Sequence, residues 1–188
     1  GVLGNLDPAS YGRRRSSLRY RLTLKEMTMT QSTQALDRPV PYLDDLKAGD
    51  QLDPLVYEIT QDLIHRYGLA SLDLNPVHMN PAWCERAQVF GTPKTVQHGM
   101  MSMSFMASVV LRSFGPLANI LVVDSKFTKP GPVGNTITCR GKVRDIHVLN
   151  NGNDYAIINV EATDQEGDIV GISEVHVQLP RRPGAGAV

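Results

Sequence analysis

The sequence has no charge excess, few cysteines and no long apolar run. Lys+Arg and Asp+Glu both number 19 in 188 residues. Zero net charge gives no bulk attraction to nucleic acid, so no nucleic-acid partner is expected. The two cysteines, Cys84 and Cys139, form neither a Cys-x-x-Cys pair nor a Cys/His cluster. They read as reduced thiols of a cytoplasmic protein. No apolar stretch approaches the roughly 20 residues that span a bilayer, so no membrane segment is expected. His-Glu-x-x-His spacing is absent, and no metal site is read. Ser102 and Ser104 lack the Gly-x-Ser-x-Gly setting of a nucleophile elbow. The length suits one core with tails.

The two ends differ in composition from the middle. Arg13, Arg14, Arg15, Arg19 and Arg21 crowd into an acid-free stretch that leads to a polar TMTQSTQ. Such a start has the composition of a transit peptide or a basic arm, but reads first as a flexible extension over residues 1–39. RRPGAGAV has little to pack with and reads as a flexible tail over residues 181–188. The domain is expected at residues 40–180, without an internal repeat.

Within it, LVYEIT (55–60) reads as a strand. Thr60 is placed to cap a helix with Asp62 in its first turn, apolar positions at Leu63, Ile64 and Tyr67, and a stop at Gly68. Asn80-Pro81 starts another helix, which ends at Phe90-Gly91. Residues 99–114, GMMSMSFMASVVLRSF, carry one charge, Arg112, and read as a helix buried on all sides. Four β-rich runs follow as a meander, with Asn151-Gly152 turning the second into the third. The order fits an α+β hot-dog fold, a curled antiparallel sheet around one buried helix.

One loop carries chemistry. LDLNPVHM (72–79) sets an acid and an imidazole five residues apart around Asn75-Pro76. Pro76 pushes Asn75 toward extended backbone, so the segment reads as a rigid turn, not a helix, that brings Asp73 and His78 toward one point. Alone, the pattern also fits an Asx-type turn with a surface imidazole. His98-Gly99 then opens the apolar helix, where unpaired N–H groups and the helix dipole point outward and Gly99 hides its amide behind no side chain. His65, His147 and His176 read as ordinary surface or core histidines.

Asp73-Leu-Asn75-Pro76-Val-His78, together with His98-Gly99-Met100 and the later KFTKPGPVGNTIT (126–138), resembles the (R)-specific enoyl-CoA hydratases of the MaoC-like dehydratase family over about residues 50–180. Leu72 stands where that family has Gly, and Asn135 where it has Asp. The resemblance implies reversible hydration of a trans-2-enoyl thioester to an (R)-3-hydroxyacyl thioester. His78 would act as base toward water and Asp73 as proton donor, or the reverse, since a coupled pair titrates together. Gly99 would supply the oxyanion hole, with Asn75 and His98 in support and Leu72, Met100 and Met103 lining the acyl pocket. No metal or redox cofactor is implied; CoA, or an acyl carrier protein, enters as part of the substrate. A homodimer or higher homo-oligomer is expected, because a single curled sheet leaves strand edges open. Two rivals remain: a hot-dog thioesterase, disfavoured because residues 99–114 hold no carboxylate, and a non-catalytic acyl-binding subunit of a paired dehydratase, disfavoured because both Asp73 and His78 are present.

Overall fold

The computed structural model describes residues 41–149 and 152–184. The extension read over residues 1–39 lies outside the described residues, as do Asn151 of the Asn-Gly turn and the last four residues of the tail. Strand β1 (Leu55–Glu58) leads through Thr60, whose side chain accepts the amide of Leu63 at 3.1 Å, into helix α1 (Gln61–Ser71). Gly68 does not stop α1. The helix runs three residues further, to a left-handed cap at Leu72 with φ 60°.

A one-turn helix α2 (Pro76–Met79) and helix α3 (Pro81–Ala87) follow. The expected rigid turn is thus itself helical. Asn75 caps it by accepting the amide of Val77, and Pro76 sits at the first helical position, where its missing N–H costs nothing. Helix α3 is likewise capped by Asn80, and ends at Gln88, before the expected Phe90-Gly91.

Helix α4 (Gly99–Phe114) is the centre of the fold. Met101, Met106, Val109, Val110 and Phe114 are buried against Ile137, Val143, Ile158, Val160, Val175 and Val177 of the sheet. It is not buried on all sides: Met100 is 54% exposed and Leu111 43%. The sheet has five antiparallel strands in the order β1-β3-β4-β5-β2, with β2 Asn119–Phe127, β3 Thr136–His147, β4 Tyr155–Thr163 and β5 Ile169–Gln178. Only β3, β4 and β5 form the expected meander. Strand β2 pairs with β5 instead of β3, and its connection to β3, which contains Pro130 and Pro132, crosses from one side of the sheet toward the other. That crossing segment packs on the start of α4, with Gln97 N–H donating to the Gly131 carbonyl and Val133 N–H to that of Thr95.

Cys84 and Cys139 are free and buried. Arg181 and Arg182, read as the start of a flexible tail, are instead held. Arg181 pairs with Asp44 and Asp154, and Arg182 with Asp45. Among the described residues no helix is long and apolar enough to cross a membrane.

Candidate active site

The loop between α1 and α2 is positioned by close backbone approach. A Cβ on Gly68 would meet Met79 Sδ at 2.6 Å and the Asp73 carbonyl at 3.1 Å, so the missing side chain is what lets the loop lie against α1. Gln61 Nε2 donates to the His78 carbonyl at 2.9 Å, and His65 Nε2 bonds the Met79 carbonyl at 3.1 Å. His65, read from sequence as an ordinary histidine, therefore braces this loop; its spacing gave no sign of that.

His78 is half-buried, and its Nδ1 lies 2.8 Å from the Val96 carbonyl. A carbonyl only accepts, so Nδ1 carries the hydrogen and Nε2 is left with a free lone pair. His98 is buried and donates from Nε2 to the Asp73 carbonyl at 3.0 Å, which leaves its Nδ1 bare and unpartnered. The two imidazoles stack with centroids 3.9 Å apart and planes 27° from parallel, and Tyr67 tilts against His98 from the other side. Burial lowers the pKa of His78 below the ordinary imidazole value and outweighs the Val96 carbonyl and the Asp73 carboxylate, which raise it. His78 is therefore neutral, and basic at Nε2, at neutral pH.

Asp73 is exposed, and one of its carboxylate oxygens lies within 4.8 Å of a ring nitrogen of His78 and one of His98. The structure thus brings together Asp73, His78 and His98. Their ligand atoms lie close enough together for the three to be considered as metal ligands.

Beneath His78 opens a cavity of about 350 Å³, lined also by Gly99, Ser102, Gln97, Phe127 and Val170. Gly99 is the first residue of α4, so its N–H has no partner within the helix. A Cβ there would press on the Phe127 ring at 3.1 Å. His78 and Gly99 thus share one cavity, and Asp73 lies beside His78 outside its lining. Of the residues expected to line an acyl pocket, Leu72 is 81% exposed and Met100 54% exposed. Neither they nor Met103 line this cavity. Ser102 and Gln97 were missed; Ser102 stands three residues after Gly99, a spacing that shares a helix face.

The sequence pattern described as the MaoC like domain matches residues 46–166, well over half of the chain. The chain belongs to this MaoC-like family. No curated protein sequence matches it. Similar solved structures include the R-hydratase PhaJ1 from Pseudomonas aeruginosa in its unliganded form, at 20% identity and TM-score 0.67, covering 75% of this chain and 86% of that one. Another is the (R)-hydratase from A. caviae involved in PHA biosynthesis, at 22% identity and TM-score 0.64, covering 72% and 98%. The ChsH1-ChsH2 complex from Mycobacterium tuberculosis is similar at 19% identity and TM-score 0.62, covering 71% and 98%. At these identities the likeness shows the hot-dog fold.

Proposed function

We propose that this MaoC-like protein is a hydro-lyase that adds water reversibly to a trans-2-enoyl thioester, giving the (R)-3-hydroxyacyl thioester. The observation that carries this reading is the juxtaposition of Asp73 with a neutral His78, which itself lines a cavity together with Gly99. In the forward direction His78 Nε2 takes a proton from water as its oxygen bonds the β-carbon. The α-carbon takes its proton from the protonated form of Asp73, and the proton held by His78 then passes to Asp73, so that the pair returns to its starting state. The negative charge that develops on the thioester oxygen is met by the Gly99 N–H at the positive end of α4. The reverse assignment of acid and base uses the same two groups. Asn75 holds the loop by capping α2. His98 holds it by gripping the Asp73 carbonyl.

No metal or redox group enters this chemistry, and CoA or an acyl carrier protein arrives with the substrate. The site is read as working in a cytoplasmic homodimer. A thioesterase is disfavoured by the lack of any carboxylate on α4.

The test follows the ultraviolet absorbance of crotonyl-CoA and a medium-chain homologue with wild type, Asp73→Asn and His78→Ala. Wild type is expected to consume the enoyl absorbance, and each variant to slow it by about 10²–10⁴-fold. Release of free thiol without hydration would replace this reading with hydrolysis. Inactivity across several chain lengths would favour a subunit that needs a partner.

A further inference from the structure

The cavity below His78 and Gly99 has a polar patch that the hydration chemistry does not use. On α4, Ser104 and Ser108 return their hydroxyls to carbonyls four residues back, at 2.8 and 2.7 Å. Ser102 on the same helix does not. Its side chain is buried at 3% exposure and its Oγ has no hydrogen-bond partner. Standing one turn after Gly99, it lies on the cavity wall beneath that amide.

Gln97 lines the same wall, 7% exposed, with Oε1 accepting the Tyr57 hydroxyl at 3.2 Å. Burial drives the Tyr57 phenol pKa upward, so it stays a protonated donor. Tyr57 is close enough to feel the Ser102 hydroxyl, yet no hydrogen bond of acceptable geometry joins them. Gly131 faces the Gln97 amide, where a Cβ would come within 2.7 Å of Nε2.

A buried hydroxyl without a partner destabilises the fold. Alanine at this helix position would avoid that cost and has the higher helix propensity. An oxygen entering the cavity would satisfy the hydroxyl, while Phe127 and Val170 offer apolar contact to methylene groups.

The geometry points to Ser102 and Gln97 as specificity-determining residues that receive a hydroxyl or carbonyl oxygen carried on the acyl chain. The preferred substrate is then a 2-enoyl thioester with a polar substituent beyond the double bond, not a plain alkyl chain. This rests on the enoyl-thioester reading of the site. A pocket built to hydrogen-bond an oxygen discriminates strongly against a ligand that lacks it, because the pocket's own polar groups are then left unpaired.

The test compares trans-4-hydroxybut-2-enoyl-CoA with trans-pent-2-enoyl-CoA, which differ by a hydroxyl in place of a methyl. Both kcat/KM and calorimetric affinity are measured for wild type, Ser102→Ala and Ser102→Thr, with hydration of crotonyl-CoA by wild type followed separately. Wild type is expected to favour the hydroxylated thioester by about tenfold or more, a difference of about 1.4 kcal/mol. Ser102→Ala is expected to lose that preference and Ser102→Thr to keep it. A wild type that is indifferent or favours the pentenoyl thioester overturns the inference, even if the variants fail to fold. So does a preference that survives in Ser102→Ala, or failure of either thioester to bind. If crotonyl-CoA is not hydrated but the affinities keep the preference and Ser102→Ala loses it, the specificity stands and the hydratase reading falls. If crotonyl-CoA is hydrated and no preference exists, the specificity alone falls.

Discussion

His78 is poised by two neighbours that act on different nitrogens. The Val96 carbonyl fixes the hydrogen on Nδ1, and burial beside His98 disfavours a second proton on Nε2. In the proposed role of base His78 must be neutral, so its lowered pKa would keep it competent at acidities that protonate an ordinary imidazole. The pH profile of kcat/KM should stay flat as pH falls through 6.5, the unperturbed value, and decline only below it. The same shift has a stability sign. Below 6.5 the unfolded chain binds the proton more readily than the folded one, so His78 makes the fold lose stability as pH falls. A decline centred above 6.5 would contradict the assignment of His78 as the free base. His98 acts as a positioning residue on both groups, bonding the Asp73 carbonyl and stacking on the His78 ring. His98→Ala removes a buried ring and its grip on the Asp73 carbonyl, and should cost about 2–4 kcal/mol of stability in denaturant titrations. It should also lower kcat more than it raises KM.

At the scale of elements, α1 and its cap decide where Asp73 lies. Replacing Gly by Ala inside a helix ordinarily gains about 0.5–1 kcal/mol. At Gly68 the added carbon would strike Met79 and the Asp73 carbonyl, so Gly68→Ala should instead destabilise and slow hydration. A thermal scan in which that variant melts higher than wild type would contradict the close packing. Leu72 presents the opposite case. It holds a left-handed φ of 60° while its side chain is 81% exposed, so strain of about 1–3 kcal/mol is offset by little packing. Glycine would relieve that strain at an entropic cost of about 0.5–1 kcal/mol. Leu72→Gly should therefore raise Tm by a few degrees and leave the loop in place. The capping residues Thr60, Asn75 and Asn80 were legible because a cap is a local signal of residue type and position. The length of α1 was not, because nothing local shows that Gly68 serves Met79, eleven residues on, instead of ending the helix.

At the scale of the whole molecule, the legible parts were again those with short-range causes. Helix α4 starts and stops where His98-Gly99 and Gly115-Pro116 place it, and Asp73 and His78 meet because only four residues, Leu74 to Val77, lie between them. The place of β2 beside β5 depends on where a proline-containing connection can run across the sheet, which no pattern within β2 encodes. The cavity depends on that crossing too, which is why Gln97 went unread and Ser102 was weighed only as a nucleophile. Among the described residues strand β2 is also a sheet edge nine residues long, with Leu121 47% and Val122 45% exposed. A long apolar edge of this kind invites pairing with a second copy. Sedimentation at micromolar concentration should find a dimer, and Leu121→Lys should shift it to monomer; a monomeric wild type would remove the proposed homodimer.

The central claim is that Asp73 and His78 work as one acid–base unit on an enoyl thioester. It is tested most directly by a double-variant cycle on crotonyl-CoA hydration, with wild type, Asp73→Asn, His78→Ala and the combined variant. Groups that act as a unit are non-additive, so the combined variant should be about as slow as the slower single one. Losses that multiply, or variants that keep the wild-type rate, would show that the two residues do not share the reaction.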